Sequence, residues 1–412
     1  MSNIEKLIKE LCPDGVEYKE LKSVFEMRNG YTPSKAKAEF WEGGTIPWFR
    51  MEDIRENGNI LSDSAQHITP AAVKGKLFPA NSIIVATSAT IGEHALITVE
   101  SLANQRFTYL VRRPEYEEKL DPKFVYYYCY KLDEWCLNNT NISSFPSVDM
   151  AKFAKFKIPI PPLPVQREIV RVLDNFTELT AELTAELTAR KKQYEYYRDT
   201  LLTFGVHRGG TFETKWRTLA EIADIGTGSS NTNEAVEDGK YPFFVRSQEP
   251  LRKNDYEYDE TAIITAGDGV GVGKVYHYVE GKYALHQRAY RIHIVAPDVL
   301  PRFFFYYMKA KFLPYIQKNV FQGSVSSIRR PMLNAFPVPV PDVELQERIV
   351  NVLDNFDAIC SDLNIGLPAE IEARKKQYEY YRDMLLTFAA ADDIILTDRQ
   401  TDRQTARQTD MR

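Results

Sequence analysis

Apolar residues along this chain follow two regimes. Ile169, Val172, Phe176, Leu179 and Leu183 recur at alternating steps of three and four, and Ile349, Val352, Phe356, Ile359 and Leu363 do the same. That spacing lays an apolar stripe along one side of a helix and predicts two coiled-coil helices. Pro164 suits the first turn of the first helix, where its missing N–H leaves nothing unsatisfied. From there to Phe204 a continuous helix measures about 60 Å. One stripe needs a partner, and the other copy is the natural one. Gly366 and Pro368 predict a kink or interruption in the second helix. Elsewhere the apolar runs are short, β-rich and separated by turn residues, which predicts mixed α/β globules.

The two helices are copies. Gln166–Phe176 reads QREIVRVLDNF and Gln346–Phe356 reads QERIVNVLDNF, an offset of 346 − 166 = 180. Ala189–Phe204 and Ala373–Phe388 differ at one position, with an offset of 373 − 189 = 184, so the second connector is four residues longer. In the first connector Thr-Ala-Glu-Leu recurs at 180–183 and 184–187. A four-residue period drifts around a helix, and each added unit lengthens the rod by about 6 Å. A solvated helix of good propensity and a length-adjusting element are both compatible with that pattern.

The blocks beside the helices share a fainter skeleton. Ile46–Arg50 parallels Tyr241–Arg246, Ser82–Ala86 parallels Ala262–Ala266, and Asn104-Gln105-Arg106 parallels His286-Gln287-Arg288. The aromatic runs Phe124–Tyr130 and Phe303–Tyr307 correspond, as do the proline-rich entries Lys157–Pro161 and Pro337–Pro341. Low identity on a persistent skeleton predicts one scaffold presenting two different surfaces.

Composition narrows the class. The 44% hydrophobic and 26% charged residues are those of a globular protein, and 412 residues favour two or three domains. No apolar run spans a bilayer and no export signal opens the chain, so a cytoplasmic location is expected. Cys12, Cys129, Cys136 and Cys360 show neither zinc-ligand nor disulfide spacing. A net charge of -5 excludes a wholly basic nucleic-acid binder but leaves local binding patches open.

Two divergent blocks alternating with near-identical helices, the proline-rich entries, QREIVRVLDNF, the TAEL connector and ARKKQYEYYRD together resemble the specificity subunit of Type I restriction–modification enzymes, in its subgroup with TAEL spacers. The resemblance runs to Phe388. It implies an α+β fold: two mixed α/β target recognition domains, separated by two long helices that form an antiparallel coiled coil with pseudo-twofold duplication. Domain one then spans residues 1–160 with an N-terminal helix at 1–11, the central helix 161–204, domain two 205–340, the C-terminal helix 341–388, and a polar tail 389–412. Met1–Leu11 is expected near the end of the second coil, closing the repeat in a ring. The family further implies that each domain reads half of a bipartite, asymmetric duplex target. The coil would fix the spacing and dock two adenine-methyltransferase subunits, joined by restriction and translocation subunits. No cofactor is implied in this chain; S-adenosylmethionine, ATP and Mg belong to the partners.

Base reading needs bidentate side chains, chiefly Arg for guanine and Asn or Gln for adenine. Gln105, Arg106, Gln287 and Arg288 supply that chemistry at matching positions. Arg50, Arg246, Gln248, Arg329 and Arg330 are further candidates, and Ser143, Ser144, Ser324, Ser326 and Ser327 are candidates for phosphate. Ion pairing or loop bracing is the alternative for each arginine. Tyr194, Tyr197, Tyr378 and Tyr381 join the ten stripe residues as coil or partner-docking positions.

Catalytic signatures are missing. No Asn-Pro-Pro-aromatic or Asp-Pro-Pro-aromatic motif of adenine methyltransferases occurs, and Gly267–Lys274 fails the phosphate-loop pattern because Val275 stands where Ser or Thr is needed. A non-catalytic recognition subunit is the expected reading. A coiled-coil scaffold for protein assembly is the alternative, as is the equivalent subunit of a system that only methylates or cuts near its site. The tail repeats Asp-Arg-Gln-Thr from Asp398, which a GACA tetranucleotide tract encodes, so slippage there would shift the reading frame. Segments of this composition are expected to be disordered or only weakly helical.

Overall fold

The computed structural model describes residues 3–141, 146–204, 214–319, 327–362 and 364–389. Ser143, Ser144, Ser324, Ser326, Leu363 and the Asp-Arg-Gln-Thr tail lie outside them. The chain forms two compact units, residues 1–181 with 373–412, and residues 182–372.

The first unit is built on a five-stranded sheet with spatial order Phe25–Asn29, Phe107–Arg112, Ser82–Ala86, His94–Ile97, Ile60–Leu61. Every neighbour is antiparallel except the last pair. Ser82–Ala86 and His94–Ile97 are buried throughout, as central strands covered on both faces must be. A smaller sheet, His67–Ile68, Ile46–Phe49 and Leu102–Ala103, lies beside it. The helix Pro122–Asn138 starts on Pro122, and the Asp121 carboxylate accepts the Lys123 and Phe124 N–H groups. Its aromatic run is not amphipathic: Phe124 through Cys129 are all buried, in a core shared with Val165, Ile169 and Leu173 of the long helix.

The second unit repeats this plan in one six-stranded sheet, ordered Ala223–Thr227, Ala289–Ile294, Tyr258–Ala266, Tyr276–Leu285, Tyr241–Phe244, Leu251–Lys253. The helix Pro301–Asn319 takes the place of the first unit's aromatic helix. The proline-rich entries are strands that pair with the chain entering each block: Tyr18–Glu20 with Lys157–Pro159, and Lys215–Thr218 with Pro337–Val340.

The first long helix is continuous from Leu163 to Leu201. The second is interrupted, as Gly366 and Pro368 predict: Val343–Ser361 stops and Leu367–Leu385 restarts. In the break the Asp362 carboxylate accepts the Asn364 and Ile365 N–H groups. A Cβ on Gly366 would press on the Ala358 and Asp362 carbonyls, so a larger residue does not fit. Pro368 then occupies the first turn of the new helix, where proline is tolerated.

The N-terminal helix Asn3–Leu11 packs, as expected, near the end of the second long helix. Ile4 shares a core with Leu386 and Phe388, the Val16 N–H donates to the Ala389 carbonyl (3.0 Å), and the Tyr18 hydroxyl donates to the Phe388 carbonyl (3.1 Å). All four cysteines are free and buried. Among the described residues no helix is long and apolar enough to cross a membrane, and no side-chain cluster has metal-ligand geometry.

Candidate nucleic-acid interface

The two blocks share one backbone frame despite their divergence. After the first strand comes a glycine, Gly30 or Gly228, packed so tightly that a Cβ would overlap the carbonyl of Ala103 or Leu285. Those residues pair in parallel with Phe49 and Phe244. Next, the N–H of Asn104 donates to Phe49 (3.0 Å) and that of His286 to Phe244 (2.9 Å). The turns Gln105-Arg106 and Gln287-Arg288 follow. The Arg106 carbonyl accepts the Thr87 N–H (3.0 Å), and the Arg288 carbonyl accepts the Gly267 N–H (2.8 Å). Thr87 and Gly267 in turn accept the N–H of Val148 (2.9 Å) and Ile328 (2.8 Å). Backbone bonds of this kind do not depend on side-chain identity, so the frame survives where the sequence does not.

Side chains then distinguish the blocks. Gln105 and Gln287 are exposed and each is bonded to the loop after the glycine, Gln105 by the Thr32 hydroxyl and Gln287 to the Asn231 amide. Arg106 is exposed and has no side-chain partner among the described residues. Arg288 instead donates to Asp268 (3.2 Å), which also accepts from Arg246 (2.6 Å). Burial pulls the Asp268 carboxyl upward, but the Arg246 hydrogen bond and the charges of both arginines outweigh it and hold it below the ordinary range. Burial, then the charges of Arg246 and Arg288, push the His286 imidazole down. A neutral ring has one acceptor nitrogen, and Nδ1 takes the Arg288 N–H (3.0 Å).

The remaining candidates are scattered. Gln248 is exposed beyond the Tyr241–Phe244 strand, and Ser327 bridges Asp268. Arg329 is exposed and precedes the helix Arg330–Asn334, whereas Arg330 donates to the Ile225 carbonyl. Arg50 is not the counterpart of Arg246. It caps the helix Met51–Asn57, its N–H donates to Asp53 (2.7 Å), and its half-buried guanidinium lies 3.9 Å from Glu52. The frame aligns Phe49 with Phe244, so Arg50 matches Val245.

The apolar stripe also needs correction. Ile169 and Ile349 are buried, but the buried face continues through Val170 and Leu173 in the first helix, and through Leu353 and Cys360 in the second. Val352, Leu179 and Ile359 are exposed, and Val172 and Leu183 only partly covered. The cause is the packing partner: at these positions the helices press on their own blocks, so the buried face is rotated by one residue from a helix-to-helix stripe. Helix-to-helix contact appears as ring pairs. Phe176 stacks on Tyr381 at 5.4 Å in the first unit, where Tyr378 is also partly covered. In the second unit Phe356 meets Tyr194 at 6.3 Å and Tyr197 at 5.6 Å.

Sequence reasoning overlooked what orients the helices on the blocks. Gln166 and Gln346 are fully buried and fully satisfied. Gln166 Oε1 accepts the Asp121 N–H (2.8 Å) while Nε2 donates to the carbonyls of Lys119 (2.8 Å) and Pro161 (2.6 Å). Gln346 does the same with Leu300, Asp298 and Pro341, each at 2.8 Å. Two turns on, Asp174 accepts from Lys123 (2.7 Å) and Tyr127 (2.7 Å), and Asp354 accepts from Arg302 (2.8 Å) and Tyr306. The repeated Gln and Asp of QREIVRVLDNF and QERIVNVLDNF were the available signal.

A search for related proteins matches the chain twice to the type I restriction modification DNA specificity domain, over residues 13–190 and 213–373. The chain is 44% identical over 386 residues to the specificity subunit of the type I restriction enzyme EcoprrI of Escherichia coli, covering 88% of this chain and 92% of that protein. It is 34% identical over 309 residues to the EcoR124I/EcoR124II specificity subunit of Escherichia coli, covering 66% and 72%. Among solved structures it is similar to a chain from work on complex assembly and conformational transition of the type I R-M system, with a TM-score of 0.62 and 16% identity, covering 90% of this chain and 97% of that one. The type I S subunit of M. genitalium gives 0.51 and 16%, covering 90% and 95%. At such identity these two structures speak for the fold alone.

Proposed function

The chain belongs to the family defined by the type I restriction modification DNA specificity domain, and from that premise we propose that it reads a bipartite, asymmetric duplex target, one half with each block. The observation that carries this reading is the frame repeated in both blocks with different side chains on it. One scaffold with two faces is what recognition of two unlike half-sites demands. We assign the reading to residues 1–160 and 205–340, and the spacing and docking roles to the helices at 161–204 and 341–388. Phosphate contacts supply most of the affinity and position the protein, while side chains presented at and beside the turns read base edges.

The chain is a recognition subunit, and chemistry belongs to partners: methyltransferase subunits using S-adenosylmethionine, and restriction subunits using ATP and Mg. Two equivalent tyrosines support docking of the same partner on each copy. Tyr196 and Tyr380 (196 + 184 = 380) are 67% and 65% exposed. Each stands edge-on to its neighbour, Tyr196 to Tyr197 at 5.6 Å and 73°, Tyr380 to Tyr381 at 5.5 Å and 75°. An exposed ring held in a fixed orientation is a hot-spot residue for a protein interface. Changing both to alanine is expected to weaken co-purification with the methyltransferase subunit by tenfold or more and to leave thermal stability unchanged; undiminished co-purification removes these tyrosines from the interface.

Selection from random-sequence duplexes tests the reading, with the chain alone and with its methyltransferase subunit. Enrichment of a two-part sequence supports recognition, and no enrichment in either arm supports the scaffold alternative instead. The connector supplies a second test. Between Leu173 and Leu202 the described helix has no fully buried residue, so its length is free to vary without repacking a core. Deleting Thr184–Leu187 shortens it by about 6 Å. The gap between the half-sites is expected to shrink by about one or two base pairs, given a turn of about 34 Å per 10 pairs; an unchanged gap contradicts the ruler role.

A further inference from the structure

The frame places a short loop beside each Gln-Arg turn, at the end of the strands Ser82–Ala86 and Tyr258–Ala266. In the first block it runs Ser88-Ala89-Thr90, and in the second Asp268-Gly269-Val270. Ser88 bridges Ser147, and Asp268 bridges Ser327. The middle residue of each is left-handed, Ala89 at φ 66° and Gly269 at φ 81°. Glycine adopts that conformation freely, but alanine has neither the missing Cβ nor a side-chain amide to offset the cost. Ala89 is held there by its N–H to the Pro146 carbonyl (3.1 Å). Strain kept at one point of a loop, and matched by a glycine at the same point of the twin block, marks a loop whose shape is needed.

The second block's loop is also open. Val270 is 89% exposed, and beside it lies a cleft of about 520 Å³ lined by Arg246, Ser247 and Asp268. Asp268 occupies the position of Ser88 and engages both arginines through one nitrogen each, Nη1 of Arg246 and Nη1 of Arg288. Among the described residues neither guanidinium has another side-chain partner, so each keeps donors directed elsewhere. Exposed ion pairs of this kind contribute little stability, which leaves their geometry unexplained by folding alone. A carboxylate bonded to one guanidinium nitrogen tethers the group and leaves its remaining N–H donors free, and reading guanine O6 and N7 uses such a pair of donors.

We propose that the first residue of this apex loop decides what the neighbouring arginine does in each block, base reading in the second and phosphate contact in the first. Asp268 tethers Arg288, with Arg246 beside it, so that the free donors of the guanidinium specify a guanine of the second half-site. Beside Ser88, Arg106 is unbraced by any of the described residues and serves the phosphate backbone of the first. Asp268 is thus a positioning residue, acting through the arginines. The inference rests on the bipartite reading proposed above.

The test co-expresses the full chain with its methyltransferase subunit and maps methylated motifs across the host genome. Asp268→Asn and Arg288→Lys are each expected to relax one guanine position in one half of the motif, with a tenfold to hundredfold loss of discrimination there. The other half and the gap stay unchanged, and the thermal midpoint of Asp268→Asn stays that of the parent. Arg106→Lys is expected to keep every letter of the motif. The inference is overturned if Asp268→Asn and Arg288→Lys retain the parental motif at every position, or if Arg106→Lys relaxes a base. A parental chain that yields no motif at all overturns the recognition reading itself, and the inference with it.

Discussion

Replacing Gln346 with leucine is expected to lower the unfolding free energy by about 3–6 kcal/mol, because each buried group left without its partner costs about 1–3 kcal/mol. Three groups are affected: the Leu300 N–H and the carbonyls of Asp298 and Pro341. Leucine fills the volume of the glutamine but offers neither donor nor acceptor. Gln166→Leu should cost as much in the first unit, where the Asp121 N–H and the carbonyls of Lys119 and Pro161 lose the same partner. Denaturant titration of the full chain measures both. A loss below about 1 kcal/mol would mean that the glutamines are not the clamps described.

Arg291→Met is the second large effect, expected to cost about 3–5 kcal/mol at neutral pH by leaving a carboxylate buried without its cation. Arg291 is 8% exposed and engages Glu260 through two nitrogens, at 2.6 and 2.9 Å, and Asp224 through the third, at 2.8 Å. Its guanidinium lies over the Tyr258 ring, 4.7 Å from the centroid. Burial raises the Glu260 carboxyl, but the hydrogen bonds from Arg291 and Tyr283 outweigh it and leave it below the ordinary value. In the parent a depressed carboxyl contributes stability present above its unfolded pKa and lost as pH falls through the folded one. Without Arg291 the burial effect is opposed only by the Tyr283 hydrogen bond and the His293 charge, so the Glu260 carboxyl titrates higher than in the parent. Protonation then relieves the variant as pH falls through that raised value. The stability deficit should therefore be largest near pH 7 and shrink towards pH 4; a deficit independent of pH would point to lost packing instead.

Much of this architecture was legible in the sequence because the repeat is nearly verbatim where helices do the same job twice. The break at Gly366–Pro368 could be read from two residues that helices tolerate poorly in their interior. The phase of the apolar stripe could not. Leu173 and Leu353 are buried in place of Val172 and Val352 because a block, rather than a second helix, covers them. Steps of three and four leave that choice open until the covering surface is known. Arg50 illustrates a different limit: the short motif Pro-Trp-Phe-Arg resembles Pro-Phe-Phe-Val-Arg, yet a one-residue shift turns a surface arginine into a helix cap. Asp268 was passed over inside a glycine-rich run that failed as a phosphate loop. Its meaning lies in two arginines 22 and 20 residues away, and only the folded sheet brings them to it. The buried glutamines were likewise visible as letters but not as clamps, since their partners lie up to 48 residues distant.

The central claim is that two unlike blocks on one scaffold read two unlike half-sites. Its most direct measurement is the methylation map of cells carrying the unaltered chain with its methyltransferase subunit. The account predicts one motif made of two different specified segments separated by a gap of fixed length and free sequence. A single uninterrupted motif, two identical halves, or methylation without any sequence preference would contradict it.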